Sequence, residues 1–155
     1  MRPAHILFIQ ADQFRADCLG AAGHPLVRTP HLDALAAGGA RFESAFCTSP
    51  VCVPTRNSLL YGCWPSRHGV VSNIGTEAHA EARPGLRAFS QVLADGGWQV
   101  AQVGKWGASR VVQPADLGFS HYRPLAEYDA WRAEAGLPPV PTAGGWWGEA
   151  DTGIS

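Results

Sequence analysis

The stretch Cys52-Val53-Pro54-Thr55-Arg56-Asn57-Ser58-Leu59-Leu60-Tyr61-Gly62 combines a reactive side chain, a helix start and a cation within one turn. Pro54 suits the first helical position, where its missing N–H costs nothing, and Gly62 suits the residue just past the helix end. Cys52 then stands at the helix mouth. There, unpaired backbone N–H groups and the positive end of the dipole favour an anion, and Arg56 offers a forked donor to a tetrahedral oxyanion. The stretch reads as a nucleophile site for an anionic ester. Its plainer reading is a small buried cysteine at the entrance of an ordinary helix. Three residues separate Cys52 from Arg56, too few for the loop of a thiolate phosphatase.

Upstream, Ala4-His5-Ile6-Leu7-Phe8-Ile9-Gln10 is apolar from Ile6 to Ile9 without alternation, which predicts a central parallel strand covered on both faces. Asp12 and Gln13 follow at its carboxyl end. Open α/β sheets bind ligands at that end, and two adjacent oxygen-bearing side chains suit a hard divalent cation. A solvated turn with Asp12 capping a helix is the alternative. Thr29-Pro30 opens a helix through Ala36 that stops at Gly38-Gly39. Ala40 to Phe46 alternates well enough for a short strand, which reaches Cys52 through a turn at Ser49-Pro50.

Downstream, Gly62 to Val70 is turn-rich, and Asn73 just beyond reads locally as a turn asparagine. Ala78 to Pro84 reads as an exposed loop and Leu86 to Ala94 as an amphipathic helix ended by Asp95-Gly96-Gly97. Trp98 to Val103 is a second apolar strand with Gly104-Lys105-Trp106-Gly107 at its carboxyl end, where Lys105 alone would be a solvated cation. Ala126 to Ala135 reads as a helix, and 137–155 as a loop-like tail rich in proline and glycine. The order of these elements argues for an α/β layer with a largely parallel sheet.

With 155 residues, 46% hydrophobic and 16% charged, the chain can bury one modest core. A formal charge of −1 argues against nucleic acid or an anionic membrane surface as principal partner. No apolar run has the length of a membrane span, and the opening run lacks a small-residue cleavage site, so the sequence reads as a cytoplasmic protein. Cys18, Cys47, Cys52 and Cys63 form no CxxC pair and give little reason to expect disulfides or zinc. His24, His31 and His68 stand singly and read as surface or turn residues.

Cys52, Pro54 and Arg56 resemble the CxPxR signature of the type I sulfatases and the related phosphonate monoester hydrolases, with Thr55 where Ser or Ala is usual. The resemblance implies that Cys52 is oxidised to formylglycine by a formylglycine-generating enzyme and that its hydrated aldehyde is the nucleophile. It implies an α/β alkaline-phosphatase-like layered sheet with helices on both faces. Asp12 and Gln13 match the metal ligands after the first strand, joined by position 52, with calcium first and magnesium or manganese as alternatives. Lys105 matches the sulfate-binding lysine of a GKWH signature, whose histidine is replaced here by Gly107. Asn73 matches the asparagine that meets the substrate oxyanion in the phosphonate-hydrolase branch. The resemblance runs from residue 4 to about 136. The family's later Asp-Asn or Asp-His ligand pair has no counterpart before Ser155. The expectation is therefore the N-terminal portion of a catalytic domain over 1–136, with a tail over 137–155 at the point of truncation. The implied function is hydrolysis of a small-molecule sulfate ester. The alternatives are a phosphonate monoester or phosphodiester hydrolase on the same scaffold and a non-catalytic truncated remnant.

Overall fold

The structure, a computed structural model, describes residues 5–77 and 80–137. The chain divides into two units, Met1–Phe46 and Cys47–Ser155. In the first, helix α1 spans Pro30–Ala37, with Thr29 at the N-cap position and proline at the first turn as its sequence predicts. The Thr29 hydroxyl donates to Asp33 Oδ1 at 2.8 Å and accepts the Gly20 N–H at 2.8 Å. Asp33 Oδ1 also accepts the Ala21 N–H at 2.7 Å. These bonds tie the 3-10 turn Gly20–Ala22 to α1. A Cβ on Gly20 would lie 2.4 Å from Asp33 Oδ2, so a side chain there would push the Asp33 carboxylate out of this arrangement.

Two strands expected in this unit are not formed. Residues 5–10 pair with no strand, and Ile6, Leu7, Phe8 and Ile9 are 65–85% exposed. An apolar run becomes a strand only where ladder partners exist, and the described residues of its own unit hold no strand. Residues 40–46 are likewise irregular, with Phe42 and Phe46 exposed. There Arg41 Nη2 donates to Glu43 Oε1 at 2.7 Å.

The second unit is built on helix α2 (Cys52–Tyr61), the one-turn helix α3 (Pro65–His68), helix α4 (Phe89–Asp95), strands β1 (Ala101–Val103) and β2 (His121–Arg123), and helix α5 (Leu125–Glu134). Helix α2 begins at Cys52, so Pro54 is its third residue and not its first. A missing N–H is tolerated there for the same reason, because the first four N–H groups of a helix have no intrahelical acceptor. Gly62 ends the helix in the left-handed region at φ 60°. Helix α4 starts later than its apolar pattern suggests, at Phe89. The Gln91 side chain turns back to accept the Ala88 N–H at 2.9 Å, half of a capping box.

Strands β1 and β2 pair in parallel, with Ala101 opposite His121 and Val103 opposite Arg123. β1 is shorter than the predicted Trp98–Val103, and β2 has no counterpart in the sequence reading. Its three residues are too few to show a period. The crossover between them carries a 3-10 turn, Pro114–Leu117. The core joins Leu60, Ala88, Val100, Ala108, Leu117 and Phe119. Phe119 meets Phe89 and Trp106 edge-on, with ring centroids 6.2 and 6.0 Å away. Gly118, at φ 82°, lets this crossover lie on α4, since a Cβ there would be 3.0 Å from Gln91 Cα.

Helix α5 carries Tyr128 stacked on Trp131 at 5.8 Å. Of the tail expected over 137–155, all but Leu137 lies outside the described residues. No helix among the described residues is long and apolar enough to cross a membrane.

Candidate active site

Cys52 is the first residue of α2 and half-buried, beside the fully buried Val53 and Pro54. No α2 side chain caps this helix. Asn73 does so from outside, its Oδ1 accepting the Val53 N–H at 3.1 Å. Two consequences follow. The side-chain oxygen of Asn73 is engaged by the nucleophile turn, so an oxyanion contact by this residue rests on its amide NH2. The helix mouth is also poorer in backbone donors than the sequence suggests. The Val53 N–H is taken by Asn73, Pro54 has none, and the Thr55 N–H already reaches Val51 O at 3.0 Å. The positive charge of this region is carried mainly by side chains.

Arg56 and Lys105 bring that charge, and the structure joins them. Arg56 Nη1 donates to the carbonyls of Lys105 at 2.8 Å and Trp106 at 3.3 Å, which holds the loop after β1 against the first turn of α2. Lys105 is exposed and follows Gly104, whose N–H donates to Arg123 O at 2.8 Å at the carboxyl end of the parallel pair. Trp106 anchors the loop by donating Nε1–H to Val112 O at 2.9 Å. Gly107 now has a physical reason. A Cβ there would stand 3.2 Å from Arg56 Nε and 3.3 Å from Lys105 Cε, on a backbone at φ 53°. The absence of a side chain lets the two cationic stems pack over it.

Two residues in this region were not singled out or were misread from sequence. Asn57 is 2% exposed and donates Nδ2 to Val53 O at 2.9 Å and to Ala108 O at 2.7 Å. The available signal was an amide inside a helix on the same face as Val53 and Leu60, where asparagine is otherwise disfavoured. His68, expected at the surface, is 0% exposed. Its Nδ1 accepts the Val70 N–H at 3.1 Å, so Nε2 carries the proton and donates to Ser58 Oγ at 3.0 Å. Thr48 Oγ1 donates to the same Ser58 oxygen at 2.8 Å. With that tautomer His68 cannot accept the serine proton, and the pair is a structural brace for α2 and not a hydrolase dyad. Burial holds the His68 pKa below its ordinary value.

Asp12 and Gln13 lie in the first unit, on a turn, and both are exposed. Gln13 has φ 53°, a left-handed backbone uncommon outside glycine and enriched at functional sites. Their oxygens suit a hard cation in type. Among the described residues no group of three or more His, Cys, Asp or Glu is gathered closely enough to hold a metal ion. Asp12 and Gln13 thus fit part of a metal shell.

A family profile described as Sulfatase matches residues 4–144. Human arylsulfatase A is 35% identical over 129 residues, covering 78% of this chain and 25% of that protein. Among solved structures, the phosphonate monoester hydrolase of Agrobacterium radiobacter superposes with a TM-score of 0.63 at 27% identity, covering 83% of this chain and 28% of that one. A protein solved in complex with its substrate D-glucosamine-2-N,6-O-disulfate superposes with a TM-score of 0.58 at 26% identity, covering 68% and 20%. The chain spans a quarter or less of the length of the curated relatives it matches. Their fold is alkaline-phosphatase-like α/β, and the small parallel sheet here is consistent with the N-terminal portion of it.

Proposed function

We propose, since this chain belongs to the sulfatase family, that it carries the nucleophile-bearing part of a hydrolase of small-molecule sulfate esters. The observation that supports this most is the joint geometry of two signatures. Cys52 and Arg56 share the first turns of α2, and Arg56 Nη1 bonds the carbonyls of Lys105 and Trp106 at 2.8 and 3.3 Å. The nucleophile turn and the lysine loop are one braced structure.

As formylglycine made by a generating enzyme, position 52 supplies a hydrated aldehyde as oxygen nucleophile, and a divalent metal supplies Lewis acidity toward the ester. The rest falls to the chain's own side chains. Asp12 and Gln13 offer the oxygens that such a metal takes, calcium before magnesium or manganese. Lys105 presents a compact ammonium on a flexible stem to the equatorial oxygens, while Arg56 contributes a fixed charge from a rigid turn. Asn73 holds the Val53 N–H and so fixes the turn on which the nucleophile sits. Gly107 leaves no imidazole beside position 52, so proton transfer to the leaving alcohol falls to another residue.

A second reading, hydrolysis of phosphonate monoesters or phosphodiesters, is favoured by the Asp12-Gln13 pair, by Gly107 and by the likeness to the Agrobacterium radiobacter enzyme. The test is to produce the full-length protein, in which this chain is the N-terminal portion of the catalytic domain, with a formylglycine-generating enzyme, confirm the aldehyde at Cys52 by peptide mass spectrometry, and compare aryl sulfate with aryl phosphonate hydrolysis. The expected result is conversion of Cys52, with Cys18, Cys47 and Cys63 left as thiols, and faster turnover of sulfate. Faster turnover of phosphonate establishes the second reading. Conversion elsewhere, or a fully converted protein inert toward both esters, refutes the catalytic assignment.

A further inference from the structure

We propose that Asn57 is a positioning residue that sets the nucleophile turn at a fixed distance from the lysine loop. The proposal rests on the reading of Cys52 and Lys105 given above, and it adds a residue that touches neither substrate nor nucleophile. Asn57 follows Arg56 directly, so its side chain leaves α2 about 100° further round the helix, on the buried face. Both bonds come from one nitrogen and serve two elements. Nδ2 donates to Val53 O within α2 and to Ala108 O on the loop that carries Lys105.

Three features make this a constraint on the site and more than filler in the core. First, Val53 is held at both of its backbone groups, the N–H by Asn73 Oδ1 and the carbonyl by Asn57 Nδ2. The residue immediately after the nucleophile is pinned from two sides. Second, Ala108 is 2% exposed, so its carbonyl needs a partner that water does not readily supply. Third, Ala108 follows Gly107, whose left-handed backbone turns the loop back from Lys105. A tether at 108 therefore fixes the far end of the turn whose near end Arg56 holds through the carbonyls of Lys105 and Trp106. Loss of Asn57 leaves that arc held by Arg56, the Gly104 N–H and the Trp106 indole but without its tether at 108, which lets Lys105 shift relative to position 52.

The experiment uses the full-length protein with Cys52 converted. Asn57→Leu keeps the branched shape, with bulkier methyl ends, and removes both donors. Asn57→Thr keeps a hydroxyl for Val53 O in the i−4 pattern and is too short for Ala108, so it serves where the leucine variant does not fold. With rates normalised to aldehyde content, each variant is expected to lose about 100-fold in kcat/KM, the size that a misplacement of about 1 Å produces. In a Lys105→Met background the same substitution is expected to cost little more, because the lysine it positions is gone. Hydrogen exchange over 104–112 is expected to quicken in both variants. Unchanged exchange over that segment overturns the proposal, as does a rate loss that multiplies fully with Lys105→Met. If wild type with Cys52 converted hydrolyses neither ester, the functional reading has failed, and the exchange result alone decides whether Asn57 holds the loop.

Discussion

Removing the amide of Asn73 separates two roles that this residue can have. Its Oδ1 lies 3.1 Å from the Val53 N–H, the second N–H of a ten-residue helix that no side chain of its own caps. Asn73→Ala deletes that acceptor. A lost cap of this kind costs about 1 kcal/mol, which for a unit of this size lowers Tm by roughly 4–8 °C. Asn73→Asp keeps an oxygen in the same place and adds a negative charge at the positive end of the helix dipole, worth about 0.3–1 kcal/mol. The aspartate variant is therefore expected to match or exceed wild type in urea midpoint, while the alanine variant falls short. Activity then reports the other role. If Asn73 also meets the substrate through its NH2, the aspartate variant loses rate while keeping its stability, because a carboxylate in that place repels an anionic ester. Equilibrium unfolding followed by far-UV circular dichroism measures the first effect and steady-state hydrolysis the second. An alanine variant as stable as wild type would show that the Val53 bond carries no weight and would refute the capping argument.

Arg56→Ala is expected to lower kcat/KM by on the order of 3 kcal/mol of transition-state stabilisation, and Arg56→Lys to recover little of it, since one ammonium cannot reproduce the geometry that reaches both the Lys105 and Trp106 carbonyls. Kinetics on aryl sulfate check this. Gly107→His is expected to leave the rate unimproved or reduced, because its Cβ meets Arg56 Nε at 3.2 Å and Lys105 Cε at 3.3 Å; a strong gain on sulfate esters would overturn the account of Gly107. The buried His68 makes the fold acid-sensitive. Its folded pKa is depressed, so below the ordinary value of about 6.5 the unfolded chain binds the proton first. The stability that His68 contributes is complete above that value and is lost as pH falls through the window down to the depressed folded pKa. His68→Asn is expected to flatten the dependence of the urea midpoint on pH across that window.

The parts of this molecule legible in the sequence are those fixed by neighbours in the chain. Thr29-Pro30, Gly62 and Gly96-Gly97 mark helix boundaries because proline and glycine act through their own φ angles. The spacing of Cys52, Pro54 and Arg56 is equally local, since one helical turn sets it. What sequence reading lost was fixed by distant contacts. The run Ile6 to Ile9 has the composition of a buried strand, yet strand formation depends on partners that no local pattern reports. His68 looked like a turn residue because its neighbours are turn formers. Its burial goes with the bond from its Nε2 to Ser58, ten positions away. Asn57 was passed over for the same reason, because its acceptor at Ala108 is 51 positions distant.

Gly107 ties these threads to the chemistry. Read alone, it is a missing histidine and suggests a weakened site. In the fold it is the space into which the Arg56 and Lys105 stems pack, with Arg56 directed at the two carbonyls that precede it. A side chain at 107 would crowd the Arg56 and Lys105 stems, which would have to give by a few tenths of an ångström, so glycine at 107 suits this course of Arg56. An imidazole offers a proton. A bare turn leaves room for the guanidinium to reach the carbonyls of Lys105 and Trp106. If the proposed hydrolase reading holds, such a site would gain in holding the equatorial oxygens what it gives up in assisting the leaving alcohol, an exchange less costly for esters of acidic alcohols, which leave without a proton. The ratio of rates on esters with good and poor leaving groups is accordingly the quantity through which Gly107 should make itself felt.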